Sequence, residues 1–159
     1  MPSPLKAADL YHTGFMVPDL PAAMQRMTAL AGYRFTVPID GKIPIWTVAG
    51  EMMLEVRFVY SIDAPHIELI QQLPGTPWMP APGNAAHHLG YFADDLAATA
   101  DRMIEAGFEM EACGIVDGKK PAAFAFLKDA AGLRIEIVDR AGMPDWPGMI
   151  RNLTPTESQ

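Results

Sequence analysis

One stretch of this chain occurs twice. His12-Thr-Gly-Phe-Met-Val-Pro-Asp-Leu-Pro-Ala-Ala-Met-Gln-Arg-Met returns as His88-Leu-Gly-Tyr-Phe-Ala-Asp-Asp-Leu-Ala-Ala-Thr-Ala-Asp-Arg-Met, with the His, Gly, Asp, Leu, Ala, Arg and Met in register. Each copy runs on to Ala-Gly and an aromatic, at Ala31-Gly32-Tyr33 and Ala106-Gly107-Phe108. Each half then ends in an acid-bearing apolar run, His66-Ile-Glu-Leu-Ile and Arg134-Ile-Glu-Ile-Val. A repeated unit cannot bury its apolar face alone and must pack against its copy. Symmetry also pairs His12 with His88 and Glu68 with Glu136.

The local pattern inside each copy gives the same order of elements. Leu10–Val17 is an apolar run that reads as a strand. Asp19 is placed to cap a helix with Pro21 in its first turn, and Gly32 to stop it. Strands are expected at 33–39, 43–48, 53–61 and 67–71, with Asp40-Gly41 as a turn. The second copy reads as strand 89–93, helix 95–106, and strands 108–115, 122–127 and 133–139, with Asp117-Gly118 as a turn. The result is α+β: two paired βαβββ modules, about 9–73 and 86–140. Side by side they form a curved eight-stranded cup with the helices outside. The proline-rich segment 74–85 reads as a linker and 141–159 as a C-terminal tail on the surface, its residues 154–159 disordered.

Composition narrows the partners. The net charge of -7, with no basic run, disfavours nucleic acid and anionic membrane surfaces. Cys113 is the only cysteine, which suits a reducing compartment. No apolar run approaches the ~20 residues that span a bilayer. A soluble cytoplasmic protein, as a homodimer, is the expectation.

The paired residues outline a metal site. Residues alternate across a strand, so a His12 that faces the cup sends its repeat partner His88 there too. The same holds for Glu68 and Glu136. Two imidazoles and two carboxylates suit a divalent ion such as Ni²⁺, Co²⁺, Mn²⁺, Zn²⁺ or Fe²⁺. An inward Glu is costly to bury unless a cation compensates it. His87 is the rival to His88, but Gly90 follows His88 by two as Gly14 follows His12. His87 is therefore read as lying behind the ligands or at the surface, where Tyr11 is its repeat counterpart.

With those residues in view, the chain resembles the vicinal oxygen chelate superfamily across about residues 9–140. The motifs around His12 and His87-His88, with Ile67-Glu-Leu-Ile and Leu133-Arg-Ile-Glu-Ile, resemble the methylmalonyl-CoA epimerase and glyoxalase-like branch. The resemblance implies a metal-dependent lyase or isomerase. Such an enzyme removes a proton next to a metal-chelated carbonyl of a small organic substrate. Two other readings stay open: a metal-free protein that sequesters a drug or metabolite, and a ring-cleaving dioxygenase. The latter would place a His where this chain has Glu68.

The base must be a carboxylate. Glu136 or Glu68 could serve as a displaced ligand. Glu55 is the separate candidate, since a Glu on this strand resembles the base of the epimerase-like branch; otherwise Glu55 and Arg57 form a pair on an exposed strand face. Trp46, Phe58 and Phe124 are the candidate substrate-binding aromatics.

Overall fold

The computed structural model describes residues 2–157. Its first half contains β1 (Leu10–Val17), α1 (Leu20–Ala31), β2 (Ile39–Thr47), β3 (Gly50–Tyr60) and β4 (Ile67–Gln71). Its second half contains β5 (His88–Ala93), α2 (Leu96–Glu105), β6 (Glu109–Val116), β7 (Lys119–Lys128), β8 (Arg134–Asp139) and α3 (Trp146–Leu153). The strands close into one barrel in the order β1-β4-β3-β2-β6-β7-β8-β5. Two antiparallel seams join the halves, β1 with β5 and β2 with β6. The cup is thus built within a single chain.

Both repeat helices start by the same device. Asp19 accepts from the Ala22 N–H at 2.9 Å, and Asp95 accepts from the Ala98 N–H at 3.0 Å. Each satisfies a donor that the first turn leaves unpaired. Gly32 ends α1 in the left-handed conformation, with φ of 70°. The expected turn at Asp117-Gly118 is present, with positive φ at both residues.

The other expected turn is not one. Asp40 and Gly41 lie inside β2, paired with Arg57 and Val56 of β3. Asp40 accepts from the Arg57 guanidinium, so the acid is a cross-strand partner rather than a turn former. Residues 33–38 precede the strand outside the ladder, held by a bridge from Phe35 to Ser61 and by hydrogen bonds such as Thr36 N–H to the Tyr60 carbonyl at 2.9 Å.

Three apolar clusters form the interior. One lies inside the barrel, around Ile45, Leu54, Ile70 and Phe126. One lies between the sheet and α2, around Ala100, Met103, Ile135 and Ile137. The third lies beneath α1, around Leu20, Val59 and Leu69. Strand alternation sorts the residues: Ile67, Leu69, Ile135 and Ile137 face the helices, which turns Glu68 and Glu136 into the barrel.

The linker and the tail are more than connectors. Within 74–85, Trp78 is buried in the barrel cluster, and its carbonyl accepts from the Leu73 N–H at 2.7 Å. In the tail, Trp146 of α3 packs edge-on against Tyr11 and Tyr60, with ring centres 4.9 and 4.7 Å away. Thr154 donates to the Ile150 carbonyl, so the expected disorder does not begin there. Residues 158 and 159 lie outside the described residues.

Candidate metal centre

The two seam glycines explain the repeat motif. His12 of β1 sits opposite Gly90 of β5, and Gly14 opposite His88. A Cβ on Gly90 would stand 2.0 Å from the His12 ring, and one on Gly14 would stand 2.1 Å from the His88 ring. Each module's glycine therefore clears space for the other module's imidazole. The His-x-Gly spacing is a reciprocal fit across the seam, which is why it appears in both copies.

His12, Glu68, His88 and Glu136 come together, with one donor atom of each within 4.8 Å of all the others. The two Nε2 atoms are 2.9 Å apart. Oε2 of Glu68 lies 3.0 Å from His12 Nε2 and 3.3 Å from His88 Nε2. For Glu136 Oε2 those distances are 3.1 and 3.2 Å. Ligand bonds of ~2.1 Å put neighbouring donor atoms ~3.0–3.4 Å apart, which these separations match. Glu68 Oε2 is buried yet makes no hydrogen bond. Its nearest polar neighbours are the Nε2 atoms of His12 and His88. Two imidazoles and two carboxylates in this arrangement fit a divalent ion.

The electrostatics make the same demand for positive charge. Burial alone would lower the pKa of His12, but the charge of Glu68 and the contacts with both carboxylates outweigh it and raise it to about 9. His88 moves up for the same reason, with burial opposed chiefly by Glu136. Burial would raise Glu136, yet the charge of His88 and its contacts with both rings bring it down to about 2. Glu68 is also lowered, burial being outweighed by His12. Both carboxylates are thus held ionised, and the point between them favours positive charge.

The site forms the floor of a cavity of about 200 Å³ with aromatic walls. Tyr11, Phe58 and Tyr60 make one wall; Trp78, Phe124 and Phe126 make the other. Burial and the charges of Glu68 and Glu136 hold the hydroxyls of Tyr11 and Tyr60 well above the usual tyrosine pKa, so both stay protonated. The Tyr11 hydroxyl is buried without a partner. No Lys or Arg is among the lining residues.

Not every expected site residue is here. Phe58 and Phe124 line the cavity. Trp46 does not: Ile43 and Ile45 face inward, so Trp46 is turned outward against the cluster under α2. Glu55 does not either. Leu54, Val56 and Phe58 point into the barrel, which leaves Glu55 on the outer face, 73% exposed and 3.0 Å from Lys42. An outward carboxylate paired with an exposed lysine cannot reach a substrate at the floor, so the geometry is that of the exposed-strand pair.

Tyr11, Tyr60, Trp78 and Met143 line the cavity without having been expected there. Tyr60 was accessible to reasoning, since it shares the parity of Phe58. Tyr11 was not, because a register shift between Leu10 and His12 lets neighbouring residues both turn inward. His87 is buried behind His88, its Nδ1 2.9 Å from His88 Nδ1 and its Nε2 2.9 Å from the Pro77 carbonyl. Burial, then the charges of Arg134 and His88, push its pKa down to about 3, so the ring is neutral.

Residues 11–126 match the family model described as the glyoxalase/bleomycin resistance protein/dioxygenase superfamily. The chain belongs to that superfamily. No curated protein sequence gives a significant match. Solved structures similar to it include a Streptomyces coelicolor methylmalonyl-CoA epimerase variant in complex with 2-nitronate-propionyl-CoA. The identity is 17%, covering 82% of this chain and 96% of that one, with a TM-score of 0.53. The methylmalonyl-CoA epimerase of Mycobacterium tuberculosis is 18% identical over 87% of this chain and 92% of its own, with a TM-score of 0.52. At such identities the shared property is the fold.

Proposed function

We propose that this superfamily member is a divalent-metal-dependent isomerase or lyase that removes a proton next to a chelated carbonyl of a small organic substrate. The observation that carries the reading is the convergence of His12, Glu68, His88 and Glu136 on one buried point at the floor of an apolar cavity. His12, Glu68, His88 and Glu136 would hold a Ni, Co, Mn, Zn or Fe ion, which would supply Lewis acidity toward the substrate carbonyl. The fold shared with epimerases supports the isomerase class. Quartet and orphaned Glu68 oxygen both weigh against a metal-free sequestering protein, and the second carboxylate against a ring-cleaving dioxygenase.

The chain's own residues divide the work. Among the described residues, the carboxylates that line the cavity are Glu68 and Glu136. Glu136 has the more open side chain, 14% exposed against 8% for Glu68, and is assigned as the base. The Tyr11 hydroxyl, held protonated and free of other partners, donates to a substrate oxygen as negative charge develops on it. The aromatic walls exclude water and hold the apolar part of the substrate. A single buried thiol, Cys113, is consistent with a reducing cytoplasm, and a homodimer remains part of the reading.

The test is α-proton exchange in D₂O across small oxo-acids, hemithioacetals and CoA thioesters, with Ni²⁺, Co²⁺ or Mn²⁺ added. Glu136→Gln removes the basicity and one anionic ligand together, so exchange should fall ~10²-fold or more, and ion affinity measured on the same variant separates the two effects. Full exchange in Glu136→Gln would refute the assignment of the base.

A further inference from the structure

The two ligand imidazoles are not held alike. The Nδ1 of His12 is buried with no hydrogen-bond partner. The Nδ1 of His88 lies 2.9 Å from Nδ1 of His87, whose own Nε2 lies 2.9 Å from the carbonyl of Pro77. In the repeat, His87 occupies the position of Tyr11, so the difference comes from a single position. His87 is 2% exposed and packs edge-on against His88 and Phe126.

Hydrogen-bond roles along this chain of atoms follow from elementary chemistry. A carbonyl can only accept, so His87 Nε2 carries the hydrogen. A neutral imidazole has one N–H, which leaves His87 Nδ1 as an acceptor. The nearby Arg134 guanidinium, which donates to the His87 carbonyl at 3.2 Å, opposes a second positive charge on the ring. His88 must then donate from Nδ1, and its Nε2 is left with a bare lone pair facing the quartet. Metal-binding histidines are generally fixed in this way by a partner for the far nitrogen, and losing that partner typically costs 10–100-fold in affinity.

We propose that His87 is a positioning residue: it reads the Pro77 carbonyl and thereby fixes the tautomer and ring angle of His88. The proposal rests on the ion site argued above. It also gives segment 74–85 a task. Pro77 anchors His87, while its neighbour Trp78 forms part of the cavity wall. One hydrogen-bonded chain thus ties the wall to the ligand.

Nitrogen-15 NMR of side-chain-labelled wild type tests this directly, metal-free and with Zn²⁺. His87 should be protonated on Nε2 only, and with Zn²⁺ bound a coupling across the hydrogen bond should join its Nδ1 to His88 Nδ1. In parallel, Zn²⁺ affinity is measured by chelator competition. His87→Phe keeps a flat ring without the acceptor and should weaken binding ~10–100-fold, whereas His87→Gln, which offers a donor and an acceptor, should restore most of it. A His87 protonated on Nδ1, or His87→Phe with wild-type affinity, would overturn the role of His87 alone. A wild type that takes up no Zn²⁺ would overturn the ion site, and this role with it.

Discussion

Gly90→Ala adds one methyl group at the seam, and the structure says where it lands. The new Cβ would stand 2.0 Å from Cε1, 2.3 Å from Nδ1 and 2.6 Å from Nε2 of His12. Non-bonded heavy atoms rest ~3.5–4.0 Å apart, so the ring must retreat by ~1.5 Å. A metal ligand tolerates displacement of only ~0.2 Å. His12 is therefore lost from the quartet although its residue is untouched, and divalent-ion affinity should fall at least ~100-fold, beyond the upper range seen for loss of an outer partner. The fold should survive. Overpacking costs ~1–3 kcal/mol, which for a chain of this size lowers Tm by ~2–12 °C. Chelator-competition titration gives the affinity, and scanning calorimetry of the metal-free form gives the stability. A Gly90→Ala protein that binds the ion as wild type does would refute the seam argument. Gly14→Ala, which strikes His88 in the same way, should give the same result.

The metal-free protein should respond to pH in both directions. His12 is raised from 6.5 to about 9, so its contribution is complete below 6.5 and is lost as pH rises towards 9. Glu136 is lowered from 4.5 to about 2, so its contribution is complete above 4.5 and is lost as pH falls towards 2. Tm of the metal-free form should thus peak between these ranges, and a flat profile from pH 6.5 to 9 would contradict the charge balance described. Glu55→Gln removes only an exposed pair with Lys42, so stability should change by less than ~0.5 kcal/mol and proton exchange not at all. A loss of exchange in that variant would return Glu55 to the chemistry.

What could be read in advance divides along physical lines. Symmetry between the copies was enough to pair His12 with His88 and Glu68 with Glu136, because side-chain direction follows strand parity and parity survives duplication. The same parity rules out Glu55 and Phe58 on one face, and Leu54, Val56 and Phe58 already mark the inward phase of β3. Trp46 fails for the same reason beside Ile45. His87 obeys the same parity and lies behind His88, as the register of the repeat indicates. Tyr11 was beyond such reasoning, since it sits at an irregularity at the start of β1, where alternation breaks. Trp78 and Trp146 lie outside the repeat. Their positions are set by the tertiary closure of the barrel, and no local pattern encodes that.

The central claim is that one divalent ion binds per chain at the seam between the copies. Calorimetric titration of chelator-stripped protein with Co²⁺ or Ni²⁺ tests it most directly, on wild type and on His88→Ala and Glu68→Ala. The wild type should bind with a stoichiometry of one, and both variants should lose binding strongly. No uptake by the wild type, or equal uptake by His88→Ala, would contradict the claim.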